Sequence, residues 1–296
     1  MVNSINLKAI WFCQALFLLL LSYSVQGQLL TVKHAQPEAK NDQRNHYYLG
    51  LLTMALEKTR GTHGDFVLAS SDLKMQQGRA LNELKRGANI DVVWSMSTQE
   101  REAQLIPVRI PLLKGLLGHR VFIIRKADEG KFSHISDARQ LKQLVAGQGH
   151  DWPDTRILRA NGFPVMASPS YEGLFDMLNH ERFDYMPRGI QEPWSELASH
   201  KGLDFTVERS LLLKYRAPIY FFVNLKNNAL AQRIEKGLRI AINDGSFDDY
   251  FYNCPANKQT FKLAALEKRK IFELENPYLS AKTPIDDDRL WYGEWK

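Results

Sequence analysis

One arginine, Arg101, follows a hydroxyl-rich stretch that comes directly after an apolar run at residues 90–94. A guanidinium is a planar set of donors that matches a carboxylate bidentately. Open α/β sheets bind ligands at the carboxyl ends of their strands. From this pattern alone, a surface arginine paired with Glu100 or Glu102 is the stronger interpretation, and carboxylate binding is the alternative. The hydroxyl residues, which either cradle ligand oxygens or form an ordinary loop, are Ser95, Ser97 and Thr98.

A second polar and aromatic stretch covers residues 148–154. Asp151, followed three residues later by Asp154, resembles a capping box, so we expect a helix to begin here. Amides at the first turn of a helix favour an anion. His150 would add a donor and Trp152 would stack on a flat ligand. The alternative is that Asp151 only caps the helix and Trp152 packs in the core.

Motifs of the common enzyme chemistries are missing from the sequence, including the Walker loop, G-x-G-x-x-G, H-E-x-x-H, C-x-x-C and G-x-S-x-G. The eight histidines lack metal-ligand spacing, so we predict neither a metal nor a cofactor. The basic stretch at residues 262–270 is typical of the solvated face of a helix. It does not indicate a nucleic-acid partner.

The N-terminal 27 residues have the pattern of a secretory signal peptide, with one positive charge, an apolar centre and small or apolar residues before the end. The apolar stretch at residues 9–21 is shorter than the ~20 residues that span a bilayer, so a membrane anchor is the weaker alternative. Cleavage leaves Cys254 as a lone thiol, which we expect to be buried and inert. The sequence therefore predicts an exported, periplasmic chain that begins near Gln28.

The rest of the chain alternates short apolar runs with helical periodicity, which favours α/β layers. Its composition, with 44% hydrophobic and 24% charged residues, is that of a globular chain and excludes a disordered or multi-span membrane protein. Strands are predicted near residues 29–32, 66–68, 90–94, 120–124, 183–186 and 219–223. Helices are predicted near residues 45–59, 74–86, 171–178 and 230–242.

Three segments, in this order, resemble the bacterial periplasmic solute-binding proteins of the polar amino-acid type (solute-binding family 3, type II fold). Residues 84–101 contain Leu84-x-x-Gly87, a strand, hydroxyl residues and a T-x-x-R turn. Residues 146–149 run into a helix where the family has Gly-Thr. Residues 222–247 are similar to the closing strand and helix with their Asp-Gly turn. The joint order and spacing of these segments carry the resemblance, which covers residues 29–252.

The resemblance implies a two-lobed type II α/β fold with two crossover hinge strands, near residues 115–118 and 214–217. Lobe 1 is expected to comprise residues 28–117 plus 217–296, and lobe 2 residues 118–216. The ligand would bind in the cleft, and the lobes would hinge closed over it.

In the resembled family an arginine at the position of Arg101 clamps the ligand carboxylate, so the resemblance favours ligand contact there. The family usually places an aspartate five residues after Asp184, where this chain has Gly189 beside Arg188. Two arginines in the cleft predict an anionic ligand, or one with two anionic ends. Alternatively, Arg188 pairs with Glu192 and Glu192 holds an ammonium group.

The loop after the first strand supplies aromatic cover in the family, which makes His34 a further candidate ligand contact. The resemblance predicts a monomeric receptor that captures a small polar, anionic or amino-acid-like solute for an ABC permease or a membrane sensor. The alternative is a dehydratase-like enzyme on the same scaffold, acting on a small carboxylic acid. Its general acid would be His150, Asp151 or Glu192.

Overall fold

The computed structural model describes residues 29–36 and 44–293, so the predicted signal peptide at residues 1–27 lies outside the described residues. The strands are β1 (Leu30–His34), β2 (Phe66–Ser70), β3 (Val92–Met96), β4 (Ile106–Val108), β5 (His119–Arg125), β6 (Ala146–Gly149), β7 (Val165–Ser168), β8 (Tyr185–Gly189), β9 (Phe205–Val207), β10 (Leu211–Lys214), β11 (Ile219–Val223) and β12 (Lys270–Glu273). The helices are α1 (Arg44–Lys58), α2 (Arg60–His63), α3 (Gln77–Arg86), α4 (Gln99–Gln104), α5 (Glu129–Ser133), α6 (Ala138–Leu141), α7 (Pro153–Ala160), α8 (Tyr171–Asn179), α9 (Pro193–Ser199), α10 (Asn228–Asn243), α11 (Ser246–Asn253) and α12 (Pro255–Ala264).

The first sheet has the strand order β2-β1-β3-β11-β4. β1 runs parallel to β2 and β3, and β11 runs antiparallel to β3 and β4. Helices α1 and α10 cover it, and they pack so closely that a Cβ at Gly237 would overlap the main-chain carbonyl of Ala55. The apolar faces of α1 and α10 bury Leu51, Leu52 and Ile234 in this core.

The second sheet has the order β12-β10-β5-β8-β6-β7, and β9 also pairs with β5. Its central strand β5 is an apolar run that buries Phe122 and Ile124 on one face and Ile123 on the other. Tyr185 of β8 packs on Phe122, with ring centroids 4.9 Å apart. Both faces are therefore covered, which explains why these strands read as nearly continuous apolar sequence.

The chain passes from the first sheet to the second between β4 and β5, and returns between β10 and β11. Both passages fall at the predicted positions, near residues 115–118 and 214–217. The two passages are in close contact. Gly118 lies so near the main-chain carbonyl of Tyr215 that a Cβ at this position would overlap it. This contact leaves a narrow waist between the two sheets.

One strand departs from the predicted division of the chain. β12 pairs in parallel with β10, with Leu211 opposite Lys270, and so belongs to the second sheet. The predicted lobe 1 at residues 217–296 needs correction on this point. The pairing satisfies the backbone groups of β10 on the side that β5 leaves open, which local sequence periodicity does not reveal.

The segment after β12, residues 274–293, crosses the waist, and we call it the C-terminal arm. The main-chain N–H of Gln99 donates to the carbonyl of Tyr278 at 3.1 Å, and that of Tyr292 donates to the carbonyl of Lys114 at 2.8 Å. Trp291 is buried, and the guanidinium of Arg216 lies 5.1 Å from its ring centroid. The arm therefore packs across the body of the protein.

None of the helices within residues 29–36 and 44–293 combines the length and the apolar character that crossing a bilayer requires.

Candidate ligand-binding site

A cavity of about 590 Å³ lies between the two sheets and is lined from both of them. The wall on the side of the first sheet includes Trp94 and Ser95 of β3 and Tyr48 of α1, whose ring stacks on Trp94 with centroids 5.4 Å apart. The wall on the side of the second sheet includes Arg120 of β5 and Arg188 of β8. The cavity thus combines aromatic surfaces with a few charged groups, as is typical of small-molecule sites.

Arg188 is buried, and two carboxylates neutralise its charge. Its Nε donates to Glu196 Oε2 at 2.9 Å, and its Nη2 donates to Glu196 Oε1 at 2.6 Å and to Glu192 Oε1 at 2.8 Å. Burial lowers the pKa of Arg188, but these two carboxylates outweigh burial and raise it above its ordinary value. The interpretation in which Arg188 pairs with Glu192 therefore matches the structure, and Glu196 of α9 is a second partner that it missed.

Arg120 forms a second buried ion pair at the same wall. Its Nη2 lies 2.6 Å from Asp154 Oδ1, and its Nη1 lies 3.5 Å from Glu192 Oε2. The hydroxyl of Tyr215 also donates to Asp154. Burial lowers the pKa of Arg120, but Asp154, Tyr215 and Glu192 raise it above its ordinary value. Counting Glu196, three carboxylates face the two guanidinium groups of this wall.

The helix that was predicted to begin at Asp151 begins at Pro153, and its N-cap is Trp152 without a side-chain hydrogen bond. Asp151 is exposed, and its main-chain oxygen accepts a hydrogen bond from Arg101 Nη2 at 3.4 Å. Asp154 turns inward to the ion pairs instead of completing a capping box. A charge-assisted pair with a buried guanidinium is stronger than a cap, which explains why the predicted capping box was wrong.

Arg101 lies one contact away from the cavity. Its Nη1 donates to Ser95 Oγ at 2.6 Å and to the main-chain oxygen of Met96 at 2.9 Å, while its Nη2 donates to Gln77 Oε1 at 3.1 Å. Burial lowers the pKa of Arg101 to about 10, against the opposite effect of Asp151. Through Ser95, which lines the cavity, Arg101 is in reach of the site without forming its wall.

Two of the hydroxyl residues after β3 support the turn and do not line the cavity. Ser97 is buried, and its Oγ donates to Glu102 Oε1 at 2.6 Å. Thr98 caps α4, because its Oγ1 accepts from the main-chain N–H of Arg101 at 3.2 Å. Glu102 forms its ion pair with Arg109 at 2.7 Å and not with Arg101. The prediction of ligand contacts at Ser97 and Thr98 therefore needs correction.

Two predicted site residues, Trp152 and Glu192, line the cavity. The Arg188 guanidinium lies 4.4 Å from the Trp152 ring centroid, and a Cβ at Gly149 would lie 2.5 Å from the same ring system. Protein groups thus already pack against the Trp152 ring. A flat ligand that stacked on Trp152 would compete with these groups for the surface of the ring. Ser95, Trp152, Arg188 and Glu192 are the predicted site residues that the structure brings together at the cavity wall.

The two predicted histidines do not line the cavity. His150 is exposed, and its main-chain N–H donates to the carbonyl of Ser168. The ring of His34 lies 6.2 Å from that of Trp94, and its Nδ1 is 2.9 Å from the main-chain oxygen of Ala35. His34 therefore packs on the wall from outside the cavity, so its predicted ligand contact needs correction.

Arg120 and Gln191 are among the wall residues that sequence reasoning missed. Arg120 is the first residue of the predicted strand 120–124. A charged residue at the start of an otherwise apolar strand was the feature of the sequence that could have identified it as a functional residue. Gln191 had no signal, since it stands in an ordinary loop after β8. Both atoms of its side-chain amide are withdrawn from solvent and have no hydrogen-bond partner within residues 29–36 and 44–293. Leaving a buried polar group unsatisfied costs about 1–3 kcal/mol, so this amide requires an explanation.

No protein-family model and no curated protein sequence matches this chain. Solved structures do match it. An ancestral arginine-binding protein bound to arginine is 16% identical, with a TM-score of 0.55, over 75% of this chain and 96% of that one. A periplasmic binding protein of Salmonella typhimurium with high arginine specificity is 16% identical, with a TM-score of 0.52, over 79% of this chain and 98% of that one.

A histidine kinase sensor domain with similarity to periplasmic binding proteins is 15% identical, with a TM-score of 0.52, over 76% of this chain and 95% of that one. These likenesses confirm, at the level of the fold, the resemblance that the order of the three sequence segments predicted. The chain has the two-lobed α/β fold of the type II periplasmic binding proteins.

Proposed function

We propose that this chain is an exported, periplasmic solute-binding protein that captures a small polar, amino-acid-like solute between its two sheets. The observation that carries the proposal is the cavity of about 590 Å³, whose walls come from both sheets. A ligand held there contacts both sides only when they are close together, so binding would shift the population toward the closed state. The closed form would then be read by an ABC permease or a membrane sensor.

Both partner types have a counterpart among the structural neighbours. One neighbour is an amino-acid ABC transporter substrate-binding protein from Streptococcus pneumoniae bound to L-arginine, with a TM-score of 0.54 at 15% identity. Another is the histidine kinase sensor domain described above. We propose that the chain acts as a monomer whose lobes are centred on the two sheets and hinge at the waist.

The charge of the ligand was predicted from Arg101 and Arg188, and the structure changes the basis of that prediction. Arg188 is paired with two carboxylates, and Arg120 with one more. A carboxylate ligand would therefore have to compete with internal carboxylates for these guanidinium groups. We therefore propose an amino-acid-like solute without a requirement for a second anionic end.

The enzyme alternative loses its candidate acids. His150 and Asp151 are exposed and do not line the cavity, and Glu192 is held in an ion pair by Arg188. The reported structural neighbours are binding proteins and a sensor domain. We therefore propose binding without turnover.

A thermal-shift screen of the exported, purified chain against amino acids and related small acids, amides and amines tests the proposal. A saturable rise in Tm without conversion of the solute is expected, with a size that follows from the ligand concentration relative to Kd. Conversion of the bound solute would favour the enzyme instead. If none of the solutes in the complete screen raised Tm, the proposal that this chain is a receptor would be refuted.

Arg101→Ala tests the contribution of the residue beside the cavity. We expect affinity for the identified solute to fall by at least 10-fold, because Ser95 and Gln77 lose the guanidinium that holds them. Arg139→Ala is the matched control, since Arg139 is an exposed arginine outside the cavity that forms an ion pair with Asp137 at 3.0 Å. Equal affinity of Arg101→Ala and the control would remove Arg101 from the site.

A further inference from the structure

One end of the cavity is lined by two helices, one from each side of the waist. Helix α9 packs on β5 and β9 of the second sheet, whereas α12 packs on α11, which in turn contacts α10 on the first sheet. The cavity-lining residues of α12 include Ala256, Thr260 and Leu263, whose spacing of i, i+4 and i+7 places side chains on one helix face. Those of α9 include Trp194 and Ala198, which are four residues apart. Each helix therefore turns one face towards the cavity, and we call the space that they line the α9–α12 compartment.

Small and apolar side chains dominate this compartment. Every described residue that α9 and α12 contribute to the cavity wall is uncharged, whereas the wall formed by β5 and β8 carries the buried ion pairs described above. Leu263 is 40% exposed, so apolar surface at this end of the cavity is left in contact with water. Ala198 and Ala256 are also exposed, and their small side chains leave room for a bound group.

Trp194 adds an aromatic surface to the compartment. It is half-buried, and within the part of the chain that the structure describes no ring stacks on it, no cation lies over it and its indole N–H forms no hydrogen bond. The other two tryptophans of the cavity wall already have such partners. Trp94 stacks on Tyr48, and the guanidinium of Arg188 lies over Trp152. The Trp194 ring is therefore the tryptophan surface of this wall that a bound group can cover without displacing a protein group.

We propose that the α9–α12 compartment binds a bulky apolar side chain of the solute, aromatic or branched aliphatic, and thereby determines specificity. Covering Trp194 and Leu263 removes apolar surface from water, which is favourable. An aromatic side chain also gains from offset or edge-to-face contact with an indole ring. A charged side chain would lose its hydration there and would meet no opposite charge from either helix, which is unfavourable.

This inference rests on the proposed function, because it names the chemical class of the solute for the same cavity. Isothermal titration of the full exported chain with free amino acids tests it, since these share one backbone and differ only in the side chain. Tryptophan, phenylalanine and leucine carry a bulky apolar side chain, alanine a small one, and glutamate and lysine a charged one. We expect at least one of the first three to bind 10- to 100-fold more tightly than alanine, glutamate and lysine, because burial of a large apolar side chain contributes about this factor.

The substitution Ala198→Trp fills the compartment from an exposed position of α9. We expect affinity for the bulky solute to fall at least 10-fold, while affinity for alanine changes by less than about 3-fold. Ala229→Trp is the matched control, since Ala229 is an exposed alanine of α10 outside the cavity, and its affinities should equal those of the natural chain. Trp194→Ala removes the ring and should also weaken binding of the bulky solute. Equal Tm values without solute show that a variant is folded, and Ala198→Trp keeps the test valid should Trp194→Ala fail to fold.

Two results overturn the inference and leave the receptor standing. One is alanine, glutamate or lysine binding as tightly as the bulky apolar amino acids. The other is a solute preference that Ala198→Trp leaves unaltered. In both cases the chain still binds a solute, so the proposed function is unaffected. A chain that binds no solute at all refutes the receptor and this inference together.

Discussion

Two buried arginines at the cavity wall illustrate how side-chain chemistry depends on neighbours. Arg120 and Arg188 are 2% and 3% exposed, and taking a guanidinium out of water costs several kcal/mol unless a carboxylate compensates. Glu196, which is also 3% exposed, meets Arg188 and accepts a hydrogen bond from the Tyr171 hydroxyl at 2.9 Å. Each of these charges is tolerated in the interior only because its partners are present.

Removing one carboxylate partner of these buried arginines should therefore destabilise the fold. Glu196→Ala is expected to lower the free energy of unfolding by about 3–5 kcal/mol, because Arg188 is left buried with less compensation. Glu235→Ala, which breaks the exposed pair with Arg239, should cost less than about 1 kcal/mol and serves as the control. Urea unfolding measures both. A loss below about 1 kcal/mol in Glu196→Ala would show that the pair does not stabilise the wall.

Stability should also depend on the protonation of His119 at the waist. Burial, together with the charge of Lys214, lowers the pKa of His119 to about 4, although a hydrogen bond with the Gly115 backbone opposes the shift. The unfolded chain binds this proton near pH 6.5 and the folded chain only near pH 4, so acidification favours unfolding. The contribution of His119 is fully present above about pH 6.5 and is lost as the pH falls towards 4.

We therefore expect the free energy of unfolding to fall by about 2 kcal/mol more in the natural chain than in His119→Gln when the pH changes from about 7 to about 5. His180→Gln, at an exposed histidine, should behave like the natural chain. Denaturant titrations at the two pH values measure the difference. Parallel pH profiles for all three chains would contradict the assignment.

At the scale of elements, close packing of α1 against α10 depends on a single missing methyl group. Helix α10 presents Gly237 to the main chain of Ala55, where any Cβ would overlap the carbonyl. Glycine lowers helix propensity by roughly 0.5–1 kcal/mol relative to alanine, so its presence in mid-helix requires a packing reason. Here the reason is the short distance between the two helices that cover the first sheet.

Gly237→Ala is consequently expected to destabilise the fold by about 1–3 kcal/mol, since the helices must move apart despite the gain in helix propensity. Gly130→Ala in α5 is the control, because a Cβ there would meet no atom within 4 Å. That variant should be unchanged or up to about 1 kcal/mol more stable. Thermal unfolding compares them, and the same sign of change in both variants would argue against close helix packing as the cause.

At the scale of the whole molecule, three consecutive residues of α4 connect the two halves. Gln99 contacts the C-terminal arm, Glu100 pairs with Arg156 of α7 at 3.2 Å, and Arg101 donates to the main-chain oxygen of Asp151. The arm itself begins in the second sheet and ends against the waist. The relative position of the sheets is therefore held by contacts outside the cavity as well as by the crossing strands.

Anchoring of the C-terminal arm should depend on Trp291. Trp291→Ala is expected to lower the free energy of unfolding by about 3–5 kcal/mol, because a large side chain leaves the core that it shares with Leu290. Ile285→Ala, at a position that is 43% exposed, should change it by less than about 0.5 kcal/mol. Limited proteolysis should then cut the arm of Trp291→Ala faster. An arm that stays resistant would mean that Trp291 does not anchor it.

Apolar periodicity in the sequence predicted alternating strands and helices, because strand and helix periodicity is a local property of the chain. The two-lobed arrangement with two crossings was implied by the resemblance of three ordered segments to the solute-binding family, and periodicity alone did not predict it. Four of the site residues predicted from the sequence line the cavity, namely Ser95, Trp152, Arg188 and Glu192. The tertiary structure alone decided which carboxylate meets which guanidinium, that β12 joins the second sheet, and that Arg120 lines the cavity. These outcomes depend on contacts between residues far apart in the chain, whose energies follow from burial and geometry and leave no periodic trace in the sequence.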